Sequence, residues 1–113
     1  MHEMGVIQGV LRIVKNEGEK NQASRILKIH IRMGEYSDVV PEILKEYFEI
    51  ASAGTIAEGA EIVLHRTQAV MRCRTCGWQG PVVHGHVVCG DCGGSSLVML
   101  SGRDFIVESL EAE

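Results

Sequence analysis

Two short motifs, Cys73-Arg74-Thr75-Cys76-Gly77 and Cys89-Gly90-Asp91-Cys92-Gly93, restrict the possible folds of this chain more than any other feature. The two-residue gap inside each pair lets a tight turn aim both sulfurs at one point. The glycine that follows each pair can take positive φ, which lets backbone N–H groups approach sulfur. Four thiolates close a tetrahedron around one ion and leave no open position for a substrate. The pattern points to structural zinc, although ligand chemistry alone leaves iron in the same four-sulfur cage open. Between Cys73 and Cys92 the chain is rich in Gly and lacks helical periodicity, so it needs something other than an apolar core to fix it. In small peptides zinc sites of this kind bind with about 10–16 kcal/mol, enough to decide whether such a segment folds.

Three other uses of paired cysteines fit less well. A redox CxxC needs one exposed thiolate of low pKa, usually at a helix N-terminus, and no helical pattern follows either pair. A zinc deaminase needs an open coordination position and an H-x-E base, which are absent. A zinc ribbon that grips nucleic acid needs a basic stripe, and the module offers Arg72 and Arg74 against Asp91. The formal charge of −4 on the whole chain also argues against nucleic acid, whose phosphates are bound mainly by Lys and Arg. An adaptor that binds protein or nucleic acid through the ribbon, with no metal transfer, is the alternative that the motif leaves standing.

The remaining sequence supports a small α/β domain. A length of 113 residues suits one domain, or one with a small appendage, and 45% apolar residues suffice for a modest core built from aliphatic side chains. No apolar run is long enough to span a membrane, and the polar start lacks a secretory stretch, so a cytoplasmic location without membrane contact is expected. There, four cysteines are expected to hold metal rather than pair as disulfides.

Val6, Ile7, Val10, Leu11 and Val14 recur at helical spacing and predict a first amphipathic helix that ends near residues 16–18, with a polar loop over 17–22. Leu27, Ile29, Ile31 and Met33 then alternate with Lys28, His30 and Arg32, as in a half-buried strand closed by Gly34. Pro41 suits a helix start, and Val40, Ile43, Leu44, Tyr47, Phe48 and Ala51 form its apolar stripe before Gly54. Thr55-Ile56-Ala57-Glu58 has capping-box form and predicts one more turn. Residues 61–70 read as a second strand, with 97–100 and 105–110 as further ones. The expected architecture is two helices packed on a small three-stranded mixed sheet of residues 24–33, 61–69 and 104–111, with an inserted four-cysteine zinc-ribbon module. On this reading residues 1–69 form the α/β domain, 101–113 return to it as a strand, and 70–100 form the zinc-binding domain.

Histidines supply the remaining titratable ligands. His84 and His86 share one side of a short stretch between the knuckles, where they are either plain polar residues, a pH sensor or a transient second metal position. His30 and His65 lie in predicted strands on largely polar faces and read as structural or solvent-facing. Trp78 is expected to pack over the metal knuckle. At the start of the chain, Met1-His2-Glu3 offers an amine, an imidazole and a carboxylate to one ion. With the His2 backbone nitrogen, these donors form adjacent chelate rings that favour a planar arrangement suited to Ni(II) or Cu(II). Taken alone, a His beside an initiator Met is ordinarily just an exposed terminal residue.

Taken together, Met1-His2-Glu3, Met33-Gly34-Glu35, Ala53-Gly54-Thr55 with Gly59-Ala60, and the paired CxxCG knuckles resemble the HypA/HybF family over essentially the whole chain. The resemblance implies a nickel metallochaperone for nickel–iron hydrogenase maturation, not an enzyme. It implies nickel as cargo at His2 and Glu3, with the Met1 amine and the His2 backbone nitrogen as further donors. It also implies structural zinc on Cys73, Cys76, Cys89 and Cys92, in a zinc domain inserted into a nickel-binding domain. The implied partners are a HypB-type nickel GTPase and the hydrogenase large-subunit precursor, with urease maturation proteins served by some members.

Overall fold

The computed structural model describes residues 3–82 and 87–113. Its elements follow the chain as α1 (Glu3–Lys20), β1 (Ile26–Gly34), α2 (Pro41–Ala51), β2 (Glu61–Thr67), β3 (Val70–Cys73), β4 (Gln79–Pro81), β5 (Leu97–Ser101) and β6 (Phe105–Ala112). Two three-stranded sheets result, ordered β2-β1-β6 and β4-β3-β5. The first is the small mixed sheet expected from the sequence, with two helices as its companions. The chain divides into two compact units: Met1–Arg32, Asp38–His65 and Ile106–Glu113 in one, Met33–Ser37 and Arg66–Phe105 in the other.

In the first unit, α1 buries Ile7, Val10, Leu11 and Val14 of the stripe that the helical spacing selects and leaves Val6 half-buried, while α2 buries Leu44 and Phe48. The helix α1 runs past its expected end, because Gly18 is a packing position and not a stop. A side chain there would meet Ile56 Cδ1 at 2.6 Å, with Ile26 Cδ1 behind it. The helix closes on a left-handed residue at Gln22 (φ 56°), where Ala23 N–H donates to Gly18 O (2.8 Å) and Gln22 N–H to Glu19 O (3.1 Å). This is a Schellman-type ending with Gln in the place that glycine usually takes.

β1 alternates as expected from Ile29 onward, with Ile29, Ile31 and Met33 fully buried. At its start the phase slips: Ile26 is buried and Leu27 is exposed. The cause is local, since Ile26 donates its N–H to Ile56 O (2.9 Å) and turns its side chain toward Gly18. The residues Thr55-Ile56-Ala57-Glu58 form turns and not a helical turn. Thr55 Oγ1 accepts from Ala57 N–H and Glu58 Oε1 accepts from Gly54 N–H, so the capping chemistry is present without the helix.

The expected single strand over 61–70 is broken after Thr67, and a second sheet starts at Val70. The break is built by four contacts on Gln68 and Ala69. Ala69 N–H donates to Glu35 Oε1 (2.7 Å), Val82 N–H to Ala69 O (3.1 Å) and Ser101 Oγ to Gln68 O (3.1 Å). Gly102 (φ 118°) lies so close that a side chain on it would sit 2.6 Å from Ala69 Cβ. β3 then pairs antiparallel with β4 (Met71 opposite Gly80) and with β5 (Met71 opposite Met99, Cys73 opposite Leu97), with a bulge near Val70.

Candidate metal centre

The strand β3 carries Cys73 at its end, and the turn after it brings Cys76 back before β4 begins. Cys73 N–H donates to Trp78 O (2.7 Å) and Gly77 N–H to Cys73 O (3.0 Å). The second pair repeats the scheme, with Cys89 N–H to Gly94 O (2.8 Å) and Gly93 N–H to Cys89 O (3.0 Å). Gly77 (φ 81°) and Gly93 (φ 72°) occupy the same left-handed position in each knuckle, which a side chain would strain. Their recurrence in the sequence is therefore a geometric requirement of the turn.

The two knuckles face each other. All four sulfurs lie within 4.8 Å of one another, with Cys73 Sγ 3.7 Å from Cys92 Sγ and Cys76 Sγ 3.4 Å from Cys89 Sγ. These separations are far longer than a disulfide bond, about 2.05 Å. Each knuckle contributes one buried cysteine, Cys73 or Cys89, and one exposed one, Cys76 or Cys92. Asp91 and Cys92 direct their N–H groups at Cys89 Sγ, at 3.4 and 3.3 Å. The half-buried Trp78 ring packs against the second knuckle, where a side chain at Gly90 would lie 2.7 Å from Trp78 Cζ2.

The sulfurs differ in charge because the backbone treats them differently. The N–H groups of Cys76 and then Thr75 hold the Cys73 thiol down at about 6. For Cys89, burial opposes ionisation, but the N–H groups of Cys92 and Asp91 outweigh it and lower the thiol. At Cys76 the Trp78 N–H favours the thiolate, yet the neighbouring Cys89 sulfur, burial and the other thiols push it up to about 12. Cys92 is likewise raised: the N–H of Gly94 favours charge, and the sulfurs of Cys89 and Cys73 oppose it. Each knuckle thus pairs one sulfur that ionises readily with one that does not. Crowded thiolates ionise together only around a cation, and a soft four-sulfur set suits zinc or iron. The residues fit a metal ion.

A loop missed as a structural element by sequence reasoning braces both entrances to this module. Gly34 N–H donates to Asp104 O (2.8 Å), Glu35 N–H to Thr67 O (3.0 Å) and Tyr36 N–H to Gly102 O (2.7 Å). The Glu35 carboxylate takes the Ala69 N–H, while Thr67 Oγ1 donates to Asp104 Oδ1 (3.1 Å). Any side chain at Gly34 would overlap the Gly102 carbonyl. The usable signal was Gly34-Glu35 directly after an apolar strand, a close-approach residue followed by an acceptor.

Of the N-terminal donors, Glu3 opens α1 and is buried, at 4% exposure. Among the described residues its Oε1 has no hydrogen-bond partner. Met1 and His2, and the candidate residues His84 and His86, lie outside the described residues.

A family model described as "Hydrogenase/urease nickel incorporation, metallochaperone, hypA" matches residues 1–112. The chain belongs to this family. It is 34% identical to the hydrogenase maturation factor HypA of Dehalococcoides mccartyi strain CBDB1, covering 100% of this chain and 95% of that protein. The HypA of Archaeoglobus fulgidus is 37% identical, with 100% and 99% covered. The fold matches the solution structure of the Ni metallochaperone HypA from Helicobacter pylori (TM-score 0.70, 21% identity, 99% of this chain and 97% of that one). A second HypA solution structure matches with a TM-score of 0.76 at 22% identity, covering 100% and 97%. Family membership makes this a hydrogenase maturation metallochaperone, and the inserted four-cysteine cluster is consistent with the zinc ribbon expected from its spacing. Among the described residues, no helix is long and apolar enough to cross a membrane.

Proposed function

We propose that this protein takes up Ni(II) at its N-terminal segment and delivers it during hydrogenase maturation, acting as a carrier and not as a catalyst. His2 supplies the imidazole, Glu3 a carboxylate, and Met1 its amine with the His2 backbone nitrogen beside it. The observation that carries this reading is a family match that includes residues 1–3, which read Met1-His2-Glu3. The buried Glu3 carboxylate, with one oxygen unsatisfied among the described residues, supports it, since a buried acceptor without a donor suits a cation. Cys73, Cys76, Cys89 and Cys92 hold zinc, which when bound supplies the charge and cross-link that the second unit needs. Residues 70–100 act as the zinc-binding domain, and 1–69 with 101–113 as the nickel-binding one.

Release is as necessary as capture for a carrier. One imidazole with an exchangeable carboxylate yields nickel by ligand exchange more readily than a closed four-thiolate cage. The recipients are a HypB-type nickel GTPase and the hydrogenase large-subunit precursor, with urease maturation proteins as a further outlet, all in the cytoplasm. Nickel titration of zinc-loaded wild type and His2→Ala tests the proposal. The variant is expected to lose nickel while keeping zinc and fold, and equal binding by both would refute the site. Protonation of the amine and imidazole competes with the ion, so affinity is expected to fall on acidification.

A further inference from the structure

The exposed face of the first sheet carries a second set of ligand-type side chains. His30 on β1, His65 on β2 and Glu111 on β6 come from three adjacent strands. His30 Nε2 lies 2.5 Å from Glu111 Oε2, and His30 Nδ1 lies 2.9 Å from His65 Nε2. The alternation that buries Ile29 and Ile31 leaves His30 on the opposite face, with its side chain 23% exposed against 52% for Glu111. The two ring centroids are 5.2 Å apart with planes 21° from parallel. That separation is the N···N distance extended by both ring radii, so the imidazoles meet edge to edge along one line. A single proton lies between two nitrogens.

Glu111 decides which nitrogen of His30 is available. A carboxylate only accepts, so Nε2 carries hydrogen and, in the neutral ring, Nδ1 presents its lone pair toward His65. A carboxylate that fixes a histidine tautomer in this way is the usual outer partner of a metal-binding imidazole. Two imidazole nitrogens bound about 2.1 Å from one ion, at right angles, lie about 3 Å apart, close to the separation found here. In the arrangement found here the two nitrogens face each other head-on, so an ion on the His30 lone pair requires the exposed His65 ring to swing aside and turn its Nε2 toward that ion.

We propose that His30 and His65, oriented by Glu111, form an auxiliary, exchangeable site for a divalent transition metal on the open face of the sheet. On binding, the ion replaces the N–H···N bond, His65 moves its proton from Nε2 to Nδ1 through solvent, and no electron is transferred. Waters complete the coordination shell. With only two direct protein ligands the site is weaker than the four-cysteine cluster, which among the described residues is the only group bringing three or more donors together.

The test uses full-length, zinc-loaded His2→Ala, so that nickel held at the N-terminal segment does not contribute. Paramagnetic Ni²⁺ is added while the imidazole and backbone resonances are followed by NMR. Broadening is expected first at His30, His65 and their strand neighbours. His65→Asn, an exposed change whose fold is checked on the same spectra, should abolish it. Glu111→Gln should weaken nickel binding at this site by about 10-fold or more. Unaltered His30 and His65 signals at excess Ni²⁺, or undiminished binding by His65→Asn or Glu111→Gln, would overturn the proposal. The difference between wild type and His2→Ala reads the N-terminal site separately, so the two readings fail independently.

Discussion

In the first unit Ile7, Val10, Val14, Ile29, Ile31, Leu44 and Phe48 are buried to within a few per cent of completeness. In the second, the buried apolar side chains among the described residues are Met33, Ala69 and Met71, with Cys73 and Cys89 completing the set. Apolar burial contributes roughly 25 cal/mol per Å², so the first unit has an ordinary core and the second has little of one. The second unit instead has hydrogen-bonded knuckles, a braced entrance and four converging thiols. The same chain therefore solves folding twice, once by solvent exclusion and once by local turns that wait for a cation. Sequence length alone conceals that difference.

The sharpest way to break this contrast is metal removal. Stripping the metal with a chelator, or Cys89→Ser, should forfeit a large part of the roughly 10–16 kcal/mol of such a site, and amide signals of residues 70–100 should collapse while those of Ile29 and Leu44 persist. Simultaneous loss of both sets would mean that the units do not differ as argued. Next in size, Leu44→Ala should cost about 2–5 kcal/mol in denaturant unfolding while metal content is unchanged. A loss of metal with the core would couple the units.

A smaller effect is expected at the module's entrance. Glu35→Ala removes the charged acceptor of the Ala69 N–H, and about 1.5–3 kcal/mol should disappear, read as faster hydrogen exchange at Ala69. Unchanged exchange would remove the brace from the account. Smallest is a pH effect in the first unit. The hydrogen bond from His30, helped by the charge of Lys28, holds the Glu111 carboxyl below its usual range. A depressed carboxyl contributes stability above its unfolded value and loses it as pH falls through the folded one. Carboxyl NMR should therefore show Glu111 titrating low in wild type and near its ordinary value in His30→Ala. An identical titration in both would deny the coupling.

Much of this was readable in the residues. The stripe Ile7, Val10, Leu11 and Val14, the alternation from Ile29 to Met33 and the start at Pro41 each carry their own period. The four cysteines announce convergence through spacing alone. Other features were not legible, and three of them share one reason. Gly18 reads locally as a helix end, Val70 as the tail of a strand, and His30 with His65 as separate solvent-facing positions. Each takes its role from a partner distant in sequence: Ile56 for Gly18, Glu35 and Gly102 for the break beside Val70, and Glu111 for the histidine pair.

By itself, the order of residues determined the two helices and the main strands, which turns aim sulfur inward, and the family to which the chain belongs, because periodicity and turn chemistry act over a few residues. Tertiary structure alone decided where β2 ends and β3 begins, and that three strands bring two imidazoles and a carboxylate into one line. Those outcomes depend on distances between remote groups, and such distances exist only once the backbone has closed on itself.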